Sequence, residues 1–361
     1  YVINRWRLEK KDPSAALSEP VRPITFWLDR NVPLAYRDTA RAAVLEWNKA
    51  FERIGFKDAL RVEQQADDAR FETLDPGRAS VRWLMSADPA ITAIGQAQFD
   101  PRSGEILGAD VAFEGLFTRA QRYLRSQLLD ARAAAVARAS AAPATHETPP
   151  PFAQPLSFAG LIPGGDGVPG QPGHELFCRH ADQLAEQARY AFDVMEARGE
   201  IRPDSPEAQQ FVLDFLKETL MHEVGHALGL RHNFRASRAY TEEQLADPEF
   251  TKANGTTGSV MEYNAINLAR PGRSGGTAFS ATLGPYDYWA IEYAYKPLPP
   301  GAKPEDEAAQ LQAVASRNHE PLLAFGTDED AFLGVDAETI QWDLGADPVA
   351  FARKRLDIAR D

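Results

Sequence analysis

The sequence predicts a fold of the α+β class, in which a mixed α/β part comes first and a largely helical part follows. Two observations predict this class. Short strand-like segments alternate with one segment of helical period over residues 1–115. A proline-free stretch of helical period then extends from residue 207 to residue 230. The 361 residues are enough to bury a core without disulfide bonds, and the single cysteine, Cys178, excludes an internal one.

The predicted strands in the first part are the segments "PITFWLDRNVP", "ALRVEQQ" and "SVRWLMS". Between the first two lies "YRDTARAAVLEWNKAFERIGF", which predicts an amphipathic helix. Its apolar face is formed by Ala40, Val44, Trp47, Phe51 and Ile54. The segment "AIGQAQFDPRSGEILGADVAF" predicts two extended stretches joined by a turn at residues 100–104, where proline and glycine suit a turn. Residues 1–115 are therefore expected to form the sheet and helix half of a domain.

Residues 116–206 form a predicted insertion. An alanine- and arginine-rich helical segment at about residues 116–140 is followed by residues 143–173, which are too rich in proline and glycine for a helix or a central strand. We interpret residues 143–173 as a long surface loop, either a disordered insertion or a border of a functional cleft. The segment "ELFCRHADQLAEQARYAFDVMEAR" predicts a further helix, and residues 297–361 are expected to form a C-terminal extension.

The segment "KETLMHEVGHALGLRHNF" contains three of the seven histidines of the chain. Phe211, Phe215, Val224 and Leu228 recur at helical spacing around it, which predicts one helix over residues 207–230. The histidines fall in the last turns of this helix and just beyond its end.

The spacing of these histidines predicts a metal site. His222 and His226 are four residues apart, so on a helix their imidazoles project from the same face, one turn apart. Gly229 suits the left-handed conformation that ends a helix, and the chain can then bring His232 back towards the same point. A lone histidine here would be interpreted as a core residue, but three at this spacing predict Zn²⁺ with its fourth position open to water. Glu223 lies where it can take a proton from that water.

The composition narrows the classes of partner. The net charge of −13 and the absence of a lysine- or arginine-rich patch argue against nucleic acid as the main partner. No apolar run in the given sequence reaches the roughly 20 residues that a transmembrane helix needs. Because the chain does not begin with methionine, we expect it to be part of a longer protein with further domains.

Two motifs, "HEVGHALGLRH" and "SVMEY", resemble those of the metzincin clan of zinc endopeptidases, and most closely an uncharacterised group of large bacterial zinc-dependent metalloproteases. The resemblance covers most of the chain. It implies a catalytic domain with a twisted mixed sheet, a long zinc-binding helix and a methionine turn. It also implies a C-terminal helix at "LGPYDYWAIEYAY". The zinc-binding helix, the methionine turn and this C-terminal helix would together occupy residues 207–296.

The resemblance also implies roles for individual residues. Three histidines would ligate Zn²⁺, Glu223 would act as general base and acid, and Met261 would lie beneath the metal without binding it. Tyr263 would stabilise the oxyanion. The alternative is an ordinary buried tyrosine whose hydroxyl is satisfied. The histidine ligands implied in this way are His222, His226 and His232.

Substrate binding is implied along one strand. In the clan a peptide adds antiparallel to an exposed sheet edge, and residues 91–99 are the candidate edge. Its substrate-facing residues would be Ala93, Gly95, Gln96 and Ala97, small enough for the most part to leave room for a peptide.

Three features depart from the clan or extend it. The residue after the third histidine is Asn233, which matches none of the well-known families, so their substrate rules do not transfer. Cys178, close to His180, is either a zinc ligand of a latent form or a buried, inert thiol. The acidic residues Asp100, Glu105 and Asp110 lack the spacing of a calcium-binding loop and are interpreted as a solvated turn.

The leading functional hypothesis is therefore a zinc-dependent endopeptidase that acts on a protein or peptide substrate. One alternative is a binding module of a larger surface protein that retains zinc without turnover. The other is a zinc amidohydrolase that acts on an amide of the cell-wall type. The resemblance implies a periplasmic, cell-surface or secreted location.

Overall fold

The computed structural model describes residues 3–85, 93–115 and 180–361. Its N-terminal part contains one five-stranded sheet with the strand order β2-β1-β3-β5-β4. Strands β1, β2, β3 and β5 are parallel, whereas β4 pairs antiparallel with β5 at one edge of the sheet. The prediction of a mixed sheet is confirmed. The strands are β1 (Ile24–Leu28), β2 (Leu60–Gln64), β3 (Ala79–Leu84), β4 (Ala93–Phe99) and β5 (Ile106–Glu114).

The predicted helix between β1 and β2 is in fact two consecutive helices, α1 (Leu34–Glu46) and α2 (Asn48–Arg53). The chain tightens at Trp47, because its backbone N–H donates to the carbonyl of Val44, only three residues earlier. The Trp47 indole N–H donates to the carbonyl oxygen of Met221 at 3.1 Å, which ties this point to the helix that carries the histidines. The predicted apolar face is retained, with Ala40, Val44, Trp47 and Phe51 buried and Ile54 partly buried.

The second part of the described chain is helical, as expected for an α+β fold. Its two long helices are α3 (His180–Ala197) and α4 (Pro206–Ala227), and α4 carries the histidine motif. Shorter helices follow at α5 (Glu242–Ala246), α6 (Pro248–Asn254), α7 (Pro285–Tyr295), α8 (Glu307–Ala315), α9 (Asp328–Phe332) and α10 (Pro348–Arg360). Among the described helices, none combines the length and the apolar character that crossing a membrane requires.

Helix α4 lies in the centre of the core and has well-defined ends. It begins at Pro206, and the Ser205 hydroxyl accepts a hydrogen bond from a backbone N–H of the first turn. Proline suits this first position because an N–H there would have no partner within the helix. It ends at Ala227, three residues before the predicted end, because the chain reverses there. Gly229 has a φ of +93°, and the Leu230 N–H donates back to the carbonyl of Gly225 at 3.0 Å.

The edge strand β4 lies directly against α4. A Cβ atom at Gly95 would collide with the backbone carbonyl of Glu223, so only glycine allows the strand and the helix to approach this closely. Ala93 is buried, whereas Gln96 is exposed. The small size of Gly95 therefore makes room for the helix, where the sequence had suggested room for a substrate.

Several predicted features lie outside the described residues. They are the helix at residues 116–140, the proline- and glycine-rich segment at residues 143–173, the thiol of Cys178 and residues 91–92 of the edge strand. Asp100 lies at the predicted turn and accepts a hydrogen bond from the Arg102 guanidinium. The interpretation of Asp110 as part of a solvated turn is wrong, because Asp110 lies within β5 and accepts a hydrogen bond from the Ser80 hydroxyl.

Candidate metal centre

The three histidines of the motif converge on one point. His222 and His226 are one turn apart on α4, and His232 follows the chain reversal at Gly229. One side-chain nitrogen from each ring lies within 4.8 Å of the other two, and the Nε2 atoms of His226 and His232 are 3.1 Å apart. The structure thus brings together the residues that the spacing had predicted to share a metal ion.

Backbone carbonyls orient the two histidines of the helix. The Nδ1 atom of His222 lies 2.7 Å from the carbonyl oxygen of Val260, and that of His226 lies 3.0 Å from the carbonyl oxygen of Leu230. A carbonyl can only accept, so each Nδ1 carries the proton of its neutral ring. The Nε2 atom of each ring is then the one with the lone pair that can bind a metal.

A carboxylate orients the third histidine. The Nδ1 atom of His232 lies 2.8 Å from Oδ1 of Asp328, the first residue of α9. Burial acts to raise the pKa of Asp328, but the hydrogen bond from His232 and the nearby Arg231 guanidinium lower it below its usual value. Asp328 is therefore an anion that holds the His232 ring with Nε2 towards the other histidines. Such carboxylate-histidine pairs are common in zinc sites.

The arrangement fits a tetrahedral zinc ion. Two nitrogen ligands at about 2.0–2.1 Å from such an ion are separated by about 3.3 Å. The separation of 3.1 Å between the Nε2 atoms of His226 and His232 is close to this value. Two lone pairs that face each other at this distance repel unless a cation or a proton lies between them, so the donor set matches the chemistry of Zn²⁺.

Burial keeps His222 and His226 neutral, as metal ligands must be. Burial lowers the pKa of His226 to about 3, and the neighbouring His232 adds to the effect. Burial also holds the pKa of His222 well below its usual value, with a further contribution from the neighbouring histidines. Because these rings are not protonated at Nε2, their lone pairs can bind a metal ion in the place where a proton would otherwise be.

The predicted methionine turn lies beneath α4. The Met261 side chain is fully buried, and a Cβ atom at Gly225 would collide with its sulfur atom. The turn is held by the Asp287 carboxylate of α7, which accepts hydrogen bonds from the Ser259 hydroxyl at 2.6 Å and the Val260 N–H at 3.0 Å. Burial raises the pKa of Asp287 to about 6. The methionine turn also provides the carbonyl of Val260, which orients the His222 ring.

Asn233, the residue that departs from the known families, joins the metal centre to the C-terminal extension. Its N–H donates to the carbonyl of Met261 at 2.9 Å. Its side-chain amide donates to the carbonyl of Ala324 at 3.0 Å and accepts the N–H of Gly326 at 3.2 Å. Asn233 therefore supports the segment that leads to α9 and its aspartate.

The two predicted catalytic side chains lie beside the histidines. Glu223 is fully buried on α4. The ring of Tyr263 is buried and its centroid lies 4.7 Å from that of His232 and 5.7 Å from that of His222. The structure thus brings Tyr263 to the centre, and its function as an oxyanion donor stays a prediction.

Three residues at the site were not predicted from the sequence. Asp328 and Trp342 come from the C-terminal extension, and the Trp342 ring lies 5.5 Å from that of Tyr263. Trp342 has a φ of +64°, an unusual conformation for a large side chain. His180, at the start of α3, stacks on His222 with 3.9 Å between ring centroids. The sequence had drawn attention to His180 only as a neighbour of Cys178.

The comparison with known families agrees with this geometry. Residues 204–361 match the sequence model of a family described as Met-zincin. The match begins just before α4 and includes the three histidines, the methionine turn and the C-terminal extension. No curated protein and no solved structure shows significant similarity to the chain. The match and the histidine cluster support a metzincin-type zinc metalloprotease domain over residues 204–361.

We predict that Asp328→Ala weakens zinc binding by roughly 10–100-fold, because His232 loses the acceptor that orients it. Competition with a chromophoric chelator measures the dissociation constant. Glu329→Ala is the matched control, since Glu329 also pairs with Arg231 but does not contact His232. Equal zinc affinity in the two variants would show that Asp328 does not support the metal centre.

Proposed function

We propose that this protein is a zinc-dependent endopeptidase. The observation that carries the proposal is the convergence of three imidazoles, with Nδ1 atoms held by protein acceptors, beside the buried carboxylate of Glu223. A carboxylate that can move protons is needed for hydrolysis and not for binding alone, so Glu223 beside these imidazoles favours an enzyme over a binding module.

The proposed reaction uses Glu223 twice. When bound, zinc would supply a Lewis acid that polarises the scissile carbonyl and makes water more acidic. Glu223 accepts a proton from the attacking water as the new C–O bond forms. It then delivers this proton to the nitrogen of the leaving amine as the C–N bond breaks. Tyr263 donates a hydrogen bond to the negative charge that develops on the carbonyl oxygen.

The edge strand β4 is the proposed binding site for the peptide. It is the outer strand of the sheet on the side of α4, and its Gly95 packs against the backbone of Glu223. A peptide that pairs with this edge would therefore run close to the catalytic carboxylate. Gln96 and Ala97 would then lie next to it. A crystal structure with a bound peptide tests this placement, because pairing elsewhere would contradict it.

Glu223→Gln is expected to reduce peptide hydrolysis by about 10²–10⁴-fold or more, because the amide cannot accept the proton of the attacking water. Incubation of zinc-loaded protein with a peptide library, read by mass spectrometry, measures the hydrolysis and maps the cleavage sites. Metal analysis should find the same zinc content in the variant as in the wild type.

Retained cleavage by the Glu223→Gln variant would contradict the mechanism, and loss of its zinc would show that Glu223 binds the metal. If the wild-type protein leaves every peptide intact but cleaves cell-wall amides, the endopeptidase proposal is wrong and the protein is an amidohydrolase.

Tyr263→Phe should lower kcat by roughly 10–10³-fold and change KM little, because an oxyanion donor acts mainly in the transition state. The substitution keeps the ring that packs against His232 and removes only the hydroxyl. Steady-state kinetics on a peptide found in the library screen measures both constants. A rise in KM alone would assign Tyr263 to substrate binding, and unchanged constants would make it a packing residue.

A further inference from the structure

His180 is a buried histidine that the proposed mechanism does not use. Its side chain is fully buried, and neither ring nitrogen has a hydrogen-bond partner within the part of the chain that the structure describes. Buried polar groups are nearly always hydrogen-bonded in folded proteins, and exceptions often mark functional sites or bound water. One nitrogen of His180 lies within 4.8 Å of both a ring nitrogen of His222 and a carboxylate oxygen of Glu223.

The ring geometry excludes His180 as a ligand of the same metal ion. The rings of His180 and His222 are stacked, with centroids 3.9 Å apart and planes only 10° from parallel. A histidine binds a metal through a lone pair in its own ring plane, so the ion lies in the plane of each ligating ring. Two nearly parallel planes at this separation meet only far outside the site. An ion held by His222 therefore lies beyond the reach of the His180 lone pair.

The position of His180, stacked on His222 and close to Glu223, instead suits a contact with a molecule bound next to the metal. Two polar atoms that lie within 4.8 Å of each other and are not directly hydrogen-bonded can both contact one water molecule at hydrogen-bond distance. A water molecule has two protons to donate. If Glu223 accepts one and His180 accepts the other, both protons have partners and the lone pairs stay available for attack.

We propose that His180 is a further catalytic residue, which accepts a hydrogen bond from the attacking water and orients it together with Glu223. This inference rests on the proposed function of the site. In the reaction, the water oxygen forms the bond to the carbonyl carbon, and the carbonyl π electrons move to its oxygen. Glu223 takes the first proton and passes it to the leaving amine. His180 holds the second O–H and gains no proton overall.

Two substitutions separate this role from simple packing. His180→Phe keeps a flat ring that can stack on His222 but has no acceptor, whereas His180→Gln loses the stack and keeps an acceptor. The proposal expects a loss of kcat on the order of 10²-fold in His180→Phe, with KM little changed, because the nucleophile is misplaced. His180→Gln should retain more activity than His180→Phe. A packing role predicts the opposite order of the two variants.

Zinc affinity provides a readout that does not depend on activity. Both His180 variants should bind zinc within a few-fold of the wild type, whereas His226→Ala should bind it much more weakly. His319→Gln is the control, because His319 is exposed and contacts only a backbone carbonyl on the surface. A loss of zinc affinity in His180→Phe as large as in His226→Ala would make His180 a ligand and overturn the proposal.

A crystal structure of the zinc-loaded wild type is the final test, and it needs no variant to fold. The proposal expects an ordered water within hydrogen-bond distance of both a His180 nitrogen and a Glu223 oxygen, and its absence would overturn the inference. If the wild type cleaves peptides and His180→Phe does so equally well, the inference fails while the endopeptidase function stands. If the wild type cleaves no peptide, the proposed function fails, and the catalytic role of His180 fails with it.

Discussion

The metal centre depends on the hydrogen bonds at the Nδ1 atoms of its three histidines. Each of these bonds fixes a tautomer and a ring orientation, and together they direct three Nε2 lone pairs to one point. The acceptors come from three different parts of the chain, namely the methionine turn, the reversal after α4 and the C-terminal extension. The folding of these distant segments is therefore coupled to the geometry of the metal site.

The charges around the site also follow from this constraint. Imidazole ligands provide lone pairs without negative charge, so a dication held by three of them alone would be poorly compensated. Asp328 supplies one negative charge through His232, and Glu223 supplies a carboxylate directly beside the cluster. The C-terminal extension thus contributes to the electrostatics of the site as well as to its shape.

The sequence predicted those features that depend on local spacing. The i, i+4 pair of His222 and His226 and the reversal at Gly229 follow from helix geometry, and the structure contains them as expected. The methionine turn could be recognised because its motif is short and contiguous. The individual strands were predicted from their patterns, whereas the mixed sheet and the edge strand at residues 91–99 were implied by the resemblance. The full strand order could not be deduced from the strand patterns.

The features that the sequence did not predict depend on contacts between distant residues. Asp328 lies 96 positions beyond His232, in an acidic segment whose pattern is that of a solvated helix start. His180 reaches His222 only because α3 packs beside α4, and no periodicity indicates which residue will lie there. The indole bond from Trp47 to Met221 at the break between α1 and α2 is likewise a distant contact that no local propensity contains.

X-ray absorption spectroscopy at the zinc edge tests the central claim most directly, because it counts the ligands and identifies their type. For the proposed site we expect three imidazole nitrogens at about 2.0–2.1 Å from zinc and one oxygen as a further light ligand. A sulfur atom at about 2.3 Å would instead indicate coordination by Cys178. Either that result or a site with fewer than three imidazoles would contradict the convergence of His222, His226 and His232 on a single catalytic metal ion.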